Sequence, residues 1–314
     1  MPPRRITNAD FEKIVDTSDE WIVTRTGIHE RRISDEDTHS SDMATAAAKS
    51  ALEMAGLAPE DIDMLVVGTV TPDYRLPSCA CVTQEKLGLT NAVAFDIVAA
   101  CTGFISGLNV ASSFIESGKY KNILVIGVEK LSSITNWNDR GTCVLFGDGG
   151  GAAVLTADES DSGVLSTFLK SDGRYGRLLW QEVGGSVNPY TPDFNYDGRD
   201  KIYMNGSEVF KVAVKEMANS AVAAVEQAGL KSEDISLVVP HQANIRIIEA
   251  LIKRLKLSMD NVYLNIEKYG NTSAASVPIA LDEANREGRI KPNDHVLMVA
   301  FGGGLIWGSA LVRW

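Results

Sequence analysis

Three chemically capable residues stand at comparable places in the chain. Cys101 follows Ala94-Phe95-Asp96-Ile97-Val98-Ala99-Ala100 and precedes Phe104, Leu108, Ala111 and Ile115. Residues 93–98 read as a short buried strand, and the two alanines permit a tight turn. The apolar residues behind Cys101 repeat at helical spacing, with Gly118 as the stop. A cysteine at a helix N-terminus meets unpaired N–H groups and the positive end of the macrodipole. Both favour the thiolate, which is the nucleophile. The competing reading is a small buried hydrophobe. His241 leaves another apolar strand, Ile235 to Val239, within Pro240-His241-Gln242-Ala243-Asn244. Asn271 lies past a third strand, Val262 to Asn265, within Lys268-Tyr269-Gly270-Asn271-Thr272-Ser273. Taken singly, a His after a strand is a structural residue and Gly-Asn is a turn.

Strands alternating with helices are expected to position these groups. Helices are expected over 9–15, 41–55, 77–87 and 209–228, and strands over 62–67, 122–127, 152–156, 164–170, 295–300 and 305–312. The charged stretch from Asp16 to Arg32 reads as a solvated loop, the stretch from Glu129 to Gly141 is polar, and 171–203 reads as a surface excursion. After Ile245, the residues Ile248, Ile252 and Leu255 form one helix face. Gly147-Asp148-Gly149-Gly150-Gly151 lacks the Lys and the strand–loop–helix setting of a phosphate loop, so it reads as close backbone approach.

The chain also repeats itself. Ala55-Gly56-Leu57 followed by Glu60-Asp61-Ile62 recurs as Ala228-Gly229-Leu230 followed by Glu233-Asp234-Ile235. Phe146-Gly147 recurs as Phe301-Gly302. Two α/β halves are therefore expected, 1–158 and 159–314, with mostly parallel sheets covered on both faces. Ligand sites in such sheets gather beyond the carboxyl ends of strands. Cys101 from one half can then meet His241 and Asn271 from the other.

Composition limits the remaining choices. The 314 residues are 45% hydrophobic and 23% charged, as in a globular chain, and the net charge of −11 argues against a general nucleic-acid binder. No apolar run reaches membrane-spanning length, and Cys79, Cys81, Cys101 and Cys143 form no disulfide framework, so a reducing cytoplasm is expected. Cys79-x-Cys81 lacks the second ligand pair that a metal site needs, and no metal is expected.

Ala-Ala-Cys101-Thr-Gly-Phe, Val-Pro-His241-Gln-Ala-Asn-Ile-Arg246-Ile and Tyr-Gly-Asn271-Thr-Ser-Ala-Ala-Ser-Val-Pro closely resemble motifs of β-ketoacyl-acyl-carrier-protein synthase III. Asp16-Thr-Ser-Asp-Glu-Trp21-Ile, Arg25-Thr-Gly-Ile and Trp-Gly-Ser-Ala-Leu-Val-Arg near the C-terminus resemble it too. The resemblance implies a thiolase-like fold, two pseudo-duplicated α/β halves in a five-layered αβαβα arrangement. It also implies a decarboxylating Claisen condensation of an acyl-CoA primer with malonyl-acyl-carrier protein, starting type II fatty-acid synthesis. Cys101 then carries the acyl group, while His241 and Asn271 donate to the enolate. The N–H groups of Cys101 and Gly303 form an oxyanion hole, and Phe301 keeps the site dry. Coenzyme A is substrate rather than cofactor, and Trp21, Arg25 and Arg140 contact it. Lys211, Arg246, Lys253 and Arg254 offer a basic face to the carrier protein. Leu76 reaches the acyl pocket across a homodimer.

One departure stands against the resemblance. The family's usual first strand, expected to be central in its sheet, has no counterpart before Thr7-Asn8, which predicts a gap in the core. Other readings are a related condensing or acyl-transferring enzyme of secondary metabolism, an inactive binder of coenzyme A or carrier protein, and a Cys-His-Asn protease.

Overall fold

The structure, a computed structural model, describes residues 1–314. The N-terminal part runs β1 (Arg5–Thr7), α1 (Asn8–Phe11), α2 (Asp19–Thr26), β2 (Glu30–Arg32), α3 (Ser40–Ala55), β3 (Met64–Gly68), α4 (Cys79–Leu87) and β4 (Val93–Ile97). It continues with α5 (Gly103–Glu116), β5 (Asn122–Glu129), α6 (Arg140–Cys143) and β6 (Gly149–Thr156). Then come β7 (Gly163–Ser171), β8 (Leu179–Gln181), β9 (Ile202–Met204), α7 (Gly206–Gln227), β10 (Leu237–Pro240) and α8 (Ile245–Leu255). The chain closes with α9 (Ile266–Tyr269), α10 (Ser276–Arg286), β11 (His295–Gly302) and β12 (Ile306–Arg313).

Two four-stranded sheets dominate, in the orders β4-β3-β5-β6 and β10-β11-β12-β7. β3 is parallel to β4 and β5, and β6 is antiparallel to β5. In the second sheet β10 and β11 are parallel, while β12 is antiparallel to both β11 and β7. The apolar clusters give the layers. Ala44, Ala48 and Leu52 of α3 join Cys79 and Ala80 of α4 against Leu65 and Leu124 on the outer face of the first sheet. Phe104 and Leu108 of α5 and Val277 and Leu281 of α10 fill the space between Val66 and Val125 of one sheet and Val239 and Met298 of the other. Met217 and Ala221 of α7 with Ile248 and Ile252 of α8 cover the far face of the second sheet. The result is five layers, αβαβα.

The repeated Ala-Gly-Leu motif has a local cause. Gly56 and Gly229 both take left-handed φ, 66° and 71°. The N–H of Leu57 reaches Leu52 O at 3.1 Å and that of Leu230 reaches Val225 O at 3.1 Å, while Gly56 and Gly229 bond back to Glu53 and Glu226. α3 and α7 thus end on the same glycine-dependent cap, which pairs otherwise orphaned carbonyls. Each is followed by a 3-10 turn, Pro59–Asp61 or Ser232–Asp234, and then by a strand.

Several expectations need correction. β4 is an edge strand, not a buried one: Val93 is 45% and Val98 81% exposed. Its polar Asp96 accepts from the Cys79 and Ala80 N–H groups at 2.8 and 2.7 Å, holding the start of α4. Residues 262–265 make only a single parallel bridge, Val238 to Val262. α8 buries Ile247 and Leu251 as well as Ile248, Ile252 and Leu255, whereas Ile245 is half-buried. The Asp16–Arg32 stretch contains α2, which Ser18 caps by accepting from Trp21 N and Gly27 closes with φ 79°.

The expected gap lies at a sheet edge rather than at the centre of a sheet. The strand that opens the second half, β7, lies at a sheet edge beside β12. A strand in the matching place of the first sheet would lie at the edge beside β6. β6 instead has an open outer side, flanked by a groove of about 440 Å³ lined by Ala47, Ala51 and Pro278 among others. Gly151 of β6 lets α10 approach, since a Cβ there would lie 2.8 Å from Ile279 N.

Candidate active site

Cys101 sits in a 3-10 turn, Ala100–Thr102, between β4 and α5. Ala100 has φ 45°, and Thr102 closes the turn by donating from N and Oγ1 to Ala99 O. The end of β11 presses on this turn: a Cβ on Gly302 would lie 2.6 Å from Cys101 N. Close approach therefore requires glycine there, and it brings the second half against the sulfur. The thiol is buried, and burial pushes its pKa up to about 12. The neighbouring Ser273 hydroxyl opposes that rise, whereas the charge of Glu129 adds to it. A helix N-terminus contributes about 0.3–1 kcal/mol to a nearby anion, less than one pKa unit's ~1.4 kcal/mol. Burial thus opposes the helix end expected to favour the thiolate, and of the two it acts more strongly on the free thiol.

His241 continues the ladder beyond β10, donating from its N–H to Val299 O at 2.7 Å. Its Nδ1 lies 2.5 Å from Ser276 Oγ at the start of α10. Burial lowers the imidazole pKa to about 3, so the ring is neutral at physiological pH. Asn271 is held by a strand-like bridge to Phe146: its N–H donates to Leu145 O at 2.8 Å, and its carbonyl accepts from Gly147 N at 3.0 Å. Its Oδ1 accepts from Ser273 N at 2.9 Å. A backbone N–H can only donate, so the carboxamide oxygen must face Ser273 and the NH₂ end must face away.

Two cavities meet at Cys101. One of about 220 Å³ is lined by Cys101, His241, Asn271, Phe301, Phe210 and Trp21 among others. The other, about 340 Å³ and mostly apolar, is lined by Cys101, Val98, Leu131, Ile134, Trp180 and Gly303 among others. Cys101, Phe146 and Leu179 border both. The repeat at Phe301 marks Phe146, though not as a site residue, and the spacing of motifs gives no signal for Leu179 or Trp180. The last two lie in the excursion read as mere surface, which in fact folds β8 over the site.

The remaining expected residues are distributed as follows. Trp21 lines the first cavity, with the guanidinium groups of Arg25 and Arg140 over its ring at 4.5 and 4.8 Å. Arg246, Lys253, Arg254 and Lys211 are exposed. Arg246 lies over the Phe210 ring at 5.6 Å, and Lys211 pairs with Glu208 at 2.7 Å. Leu76 is 89% exposed and borders neither cavity within this chain. Glu129, the first residue of the polar stretch, is the buried last residue of β5. No group of three or more His, Cys, Asp or Glu side chains is placed to hold a metal ion, and no helix is long and apolar enough to cross a membrane.

The geometry can be set beside known proteins. The family model for 3-oxoacyl-[acyl-carrier-protein (ACP)] synthase III matches residues 95–173, and that for its C-terminal part matches 225–314. The chain is 56% identical to a β-ketoacyl-[acyl-carrier-protein] synthase III of Caldanaerobacter subterraneus, covering 100% of this chain and 95% of the relative. A relative of the same description from Clostridioides difficile is 52% identical, with coverage of 100% and 95%. The crystal structure of the synthase III from Aquifex aeolicus superposes with a TM-score of 0.93 at 52% identity, covering 100% of this chain and 97% of that one. That from Thermus thermophilus also gives 0.93, at 48% identity and with coverage of 100% and 96%. Whole-chain identity above half, with the same thiolase-type layering, places this chain in the β-ketoacyl-acyl-carrier-protein synthase III family of condensing acyltransferases that start type II fatty-acid synthesis.

Proposed function

We propose that the chain condenses an acyl-CoA primer with malonyl-acyl-carrier protein through an acyl group on Cys101. The observation that carries this reading is a single cavity bordered by Cys101, His241 and Asn271, with Cys101 also lining an apolar chamber. Cys101 gives up its thiol proton as the sulfur attacks the primer thioester, the bond from the acyl carbon to the coenzyme A sulfur breaks, and the departing coenzyme A takes up a proton, so that one thioester replaces another of similar energy. The apolar chamber suits the primer chain. The N–H groups of Cys101 and Gly303 would receive the tetrahedral oxyanion, and Phe301 helps exclude water. Malonyl-carrier protein then loses CO₂, and negative charge develops on its thioester oxygen. Two neutral donors in a buried site suit that charge. The Asn271 NH₂ is one. A neutral His241 whose Nδ1 accepts from Ser276 Oγ would carry its proton on Nε2 and supply the second donor. The carbanion attacks the acyl carbon and releases the β-ketoacyl product from Cys101.

Trp21 with Arg25 and Arg140 at the cavity mouth fits the adenine and phosphates of coenzyme A. The exposed Arg246, Lys253, Arg254 and Lys211 fit an acidic carrier protein despite the acidic chain as a whole. Exposed Leu76, with Val93 and Val98 on the β4 edge, fits a homodimer in which Leu76 reaches the partner's primer chamber. The halves 1–158 and 159–314 act as the duplicated units, and the cytoplasm is the proposed compartment. The test is mass spectrometry after acetyl-CoA, then malonyl-carrier protein. An acetyl adduct on Cys101 that disappears with release of CO₂ is expected. No adduct, or hydrolysis of acyl-CoA without carrier protein, overturns the reading.

A further inference from the structure

Glu129 is a carboxylate with no exposed surface, and its partners are all neutral. It accepts from Thr69 Oγ1 at 3.3 Å, Val70 N at 3.2 Å, Thr71 Oγ1 at 2.5 Å and Ser273 Oγ at 3.1 Å. The adjacent Lys130 turns away, donating to the carbonyls of Asp35 and Thr38. Burying a carboxylate without a cation is costly, and such a group persists where its hydrogen bonds hold something in place. Three of its donors come from the first half, on the loop after β3. The fourth, Ser273, comes from the second half and has φ 50°. A non-glycine residue at that φ costs on the order of 1–3 kcal/mol and survives only where its surroundings fix it.

We propose that Glu129 is a positioning residue for the decarboxylation step, acting on Asn271 through Ser273. Glu129 anchors the Ser273 hydroxyl and so stabilises the kinked backbone at residue 273. The N–H of that kinked residue holds Asn271 Oδ1, which aims the Asn271 NH₂ into the cavity. The matched residue in the other half is Gly302, which lies at the same end of β11 that Glu129 occupies on β5. There a glycine makes room for Cys101; here a carboxylate grips the turn that sets the amide. The inference rests on Asn271 donating to the enolate.

The test uses Ser273→Ala, Glu129→Ala and Glu129→Gln in the full-length enzyme, with separate measurement of Cys101 acylation and of CO₂ release from pre-acylated enzyme. Ser273→Ala keeps the N–H but removes both the anchor and the hydroxyl beside the Cys101 sulfur, so its CO₂ release is read on enzyme already acylated, where that sulfur carries no titrating proton. CO₂ release is expected to fall about tenfold or more, short of the 10²–10³ for losing a donor outright. KM for malonyl-carrier protein should stay unchanged. In Glu129→Ala, acylation should stay within about threefold, and Glu129→Gln should recover much of the lost release. Ser273→Ala/Glu129→Ala should be no worse than the worse single variant, as for residues acting in one chain. If Glu129→Ala does not fold, CO₂ release by Ser273→Ala decides alone: wild-type release overturns the proposal. Equal loss in both half-reactions of Glu129→Ala, or multiplying losses in the double variant, also overturns it. Asn271→Ala is the reference. If that variant releases CO₂ at the normal rate, the role of Asn271 itself fails; if it does not while Ser273→Ala does, only the role of Glu129 fails.

Discussion

The turn at Ala100 in the first half and the turn at Ser273 in the second occupy matched places. Both take positive φ, 45° and 50°, and both lie in or open a 3-10 turn that runs into a helix of the middle layer, α5 or α10. Their surroundings differ. Glycine at 302 lets a strand end press on Cys101, while Glu129 holds Ser273 from below. One turn delivers a sulfur at the meeting point of two cavities. The other delivers an oriented carboxamide and, at Ser276, the hydroxyl that sets His241. The same scaffold occurs twice, and the two copies differ at a few supporting positions. The sheets differ likewise. β12 is covered by β7 and buries Ala310 and Leu311, while on β6 the matching Ala153 and Val154 are half-buried.

The largest expected effect separates the two turns by half-reaction. Cys101→Ser should abolish the stable acyl adduct and lower condensation by more than about 10³. His241→Ala should still acquire an acetyl group on Cys101 but release CO₂ about 10²–10³ more slowly. Loss of both half-reactions in His241→Ala, with the protein folded, would falsify the division of labour.

The sheets should differ in what truncation costs. Leu311→Ala removes a fully buried side chain and should destabilise by about 2–5 kcal/mol. Val154→Ala on the open strand should cost about 1 kcal/mol or less. Denaturant unfolding measures both, and equal losses would mean that β6 is as well covered as β12.

Buried titratable groups give the halves opposite responses to pH. Burial lowers the folded-state pKa of His241 from 6.5 to about 3. Between those values the unfolded chain binds more protons, so this group subtracts stability as pH falls from about 6.5. Burial raises Glu129 from 4.5 to about 7. There the folded chain binds more protons, so stability falls as pH rises through that window. Melting temperatures across pH should therefore show His241→Gln gaining on wild type toward acid and Glu129→Gln gaining toward neutrality. Parallel curves for the two variants would contradict these environments.

The smallest effect concerns the surface of α8. Reversing Arg246 and Lys253 to glutamate should raise KM for malonyl-carrier protein several-fold at low salt, with less change at high salt, while acylation by acetyl-CoA is untouched. An unchanged KM at low salt removes this face from the docking surface.

The sequence alone determined the class of layers, the repeat and the places where chemistry could stand. Apolar periodicity, the Ala-Gly-Leu caps and the residues around Cys101, His241 and Asn271 are local signals, and local signals survive in a linear string. The charged stretch that proved to hold α2 shows the limit of that logic. Its cap at Ser18 was present in the letters, but charge masked it.

Only the tertiary structure decided the state of the thiol, the open edge of β6 and the burial of Glu129. Each depends on what a distant segment does to local water. Cys101 is buried where the Gly302 end of β11 presses on its turn, and Glu129 is buried where Ser273, far along the chain, bonds to it. Desolvation is a property of the assembled halves, and no spacing of residues along either one contains it.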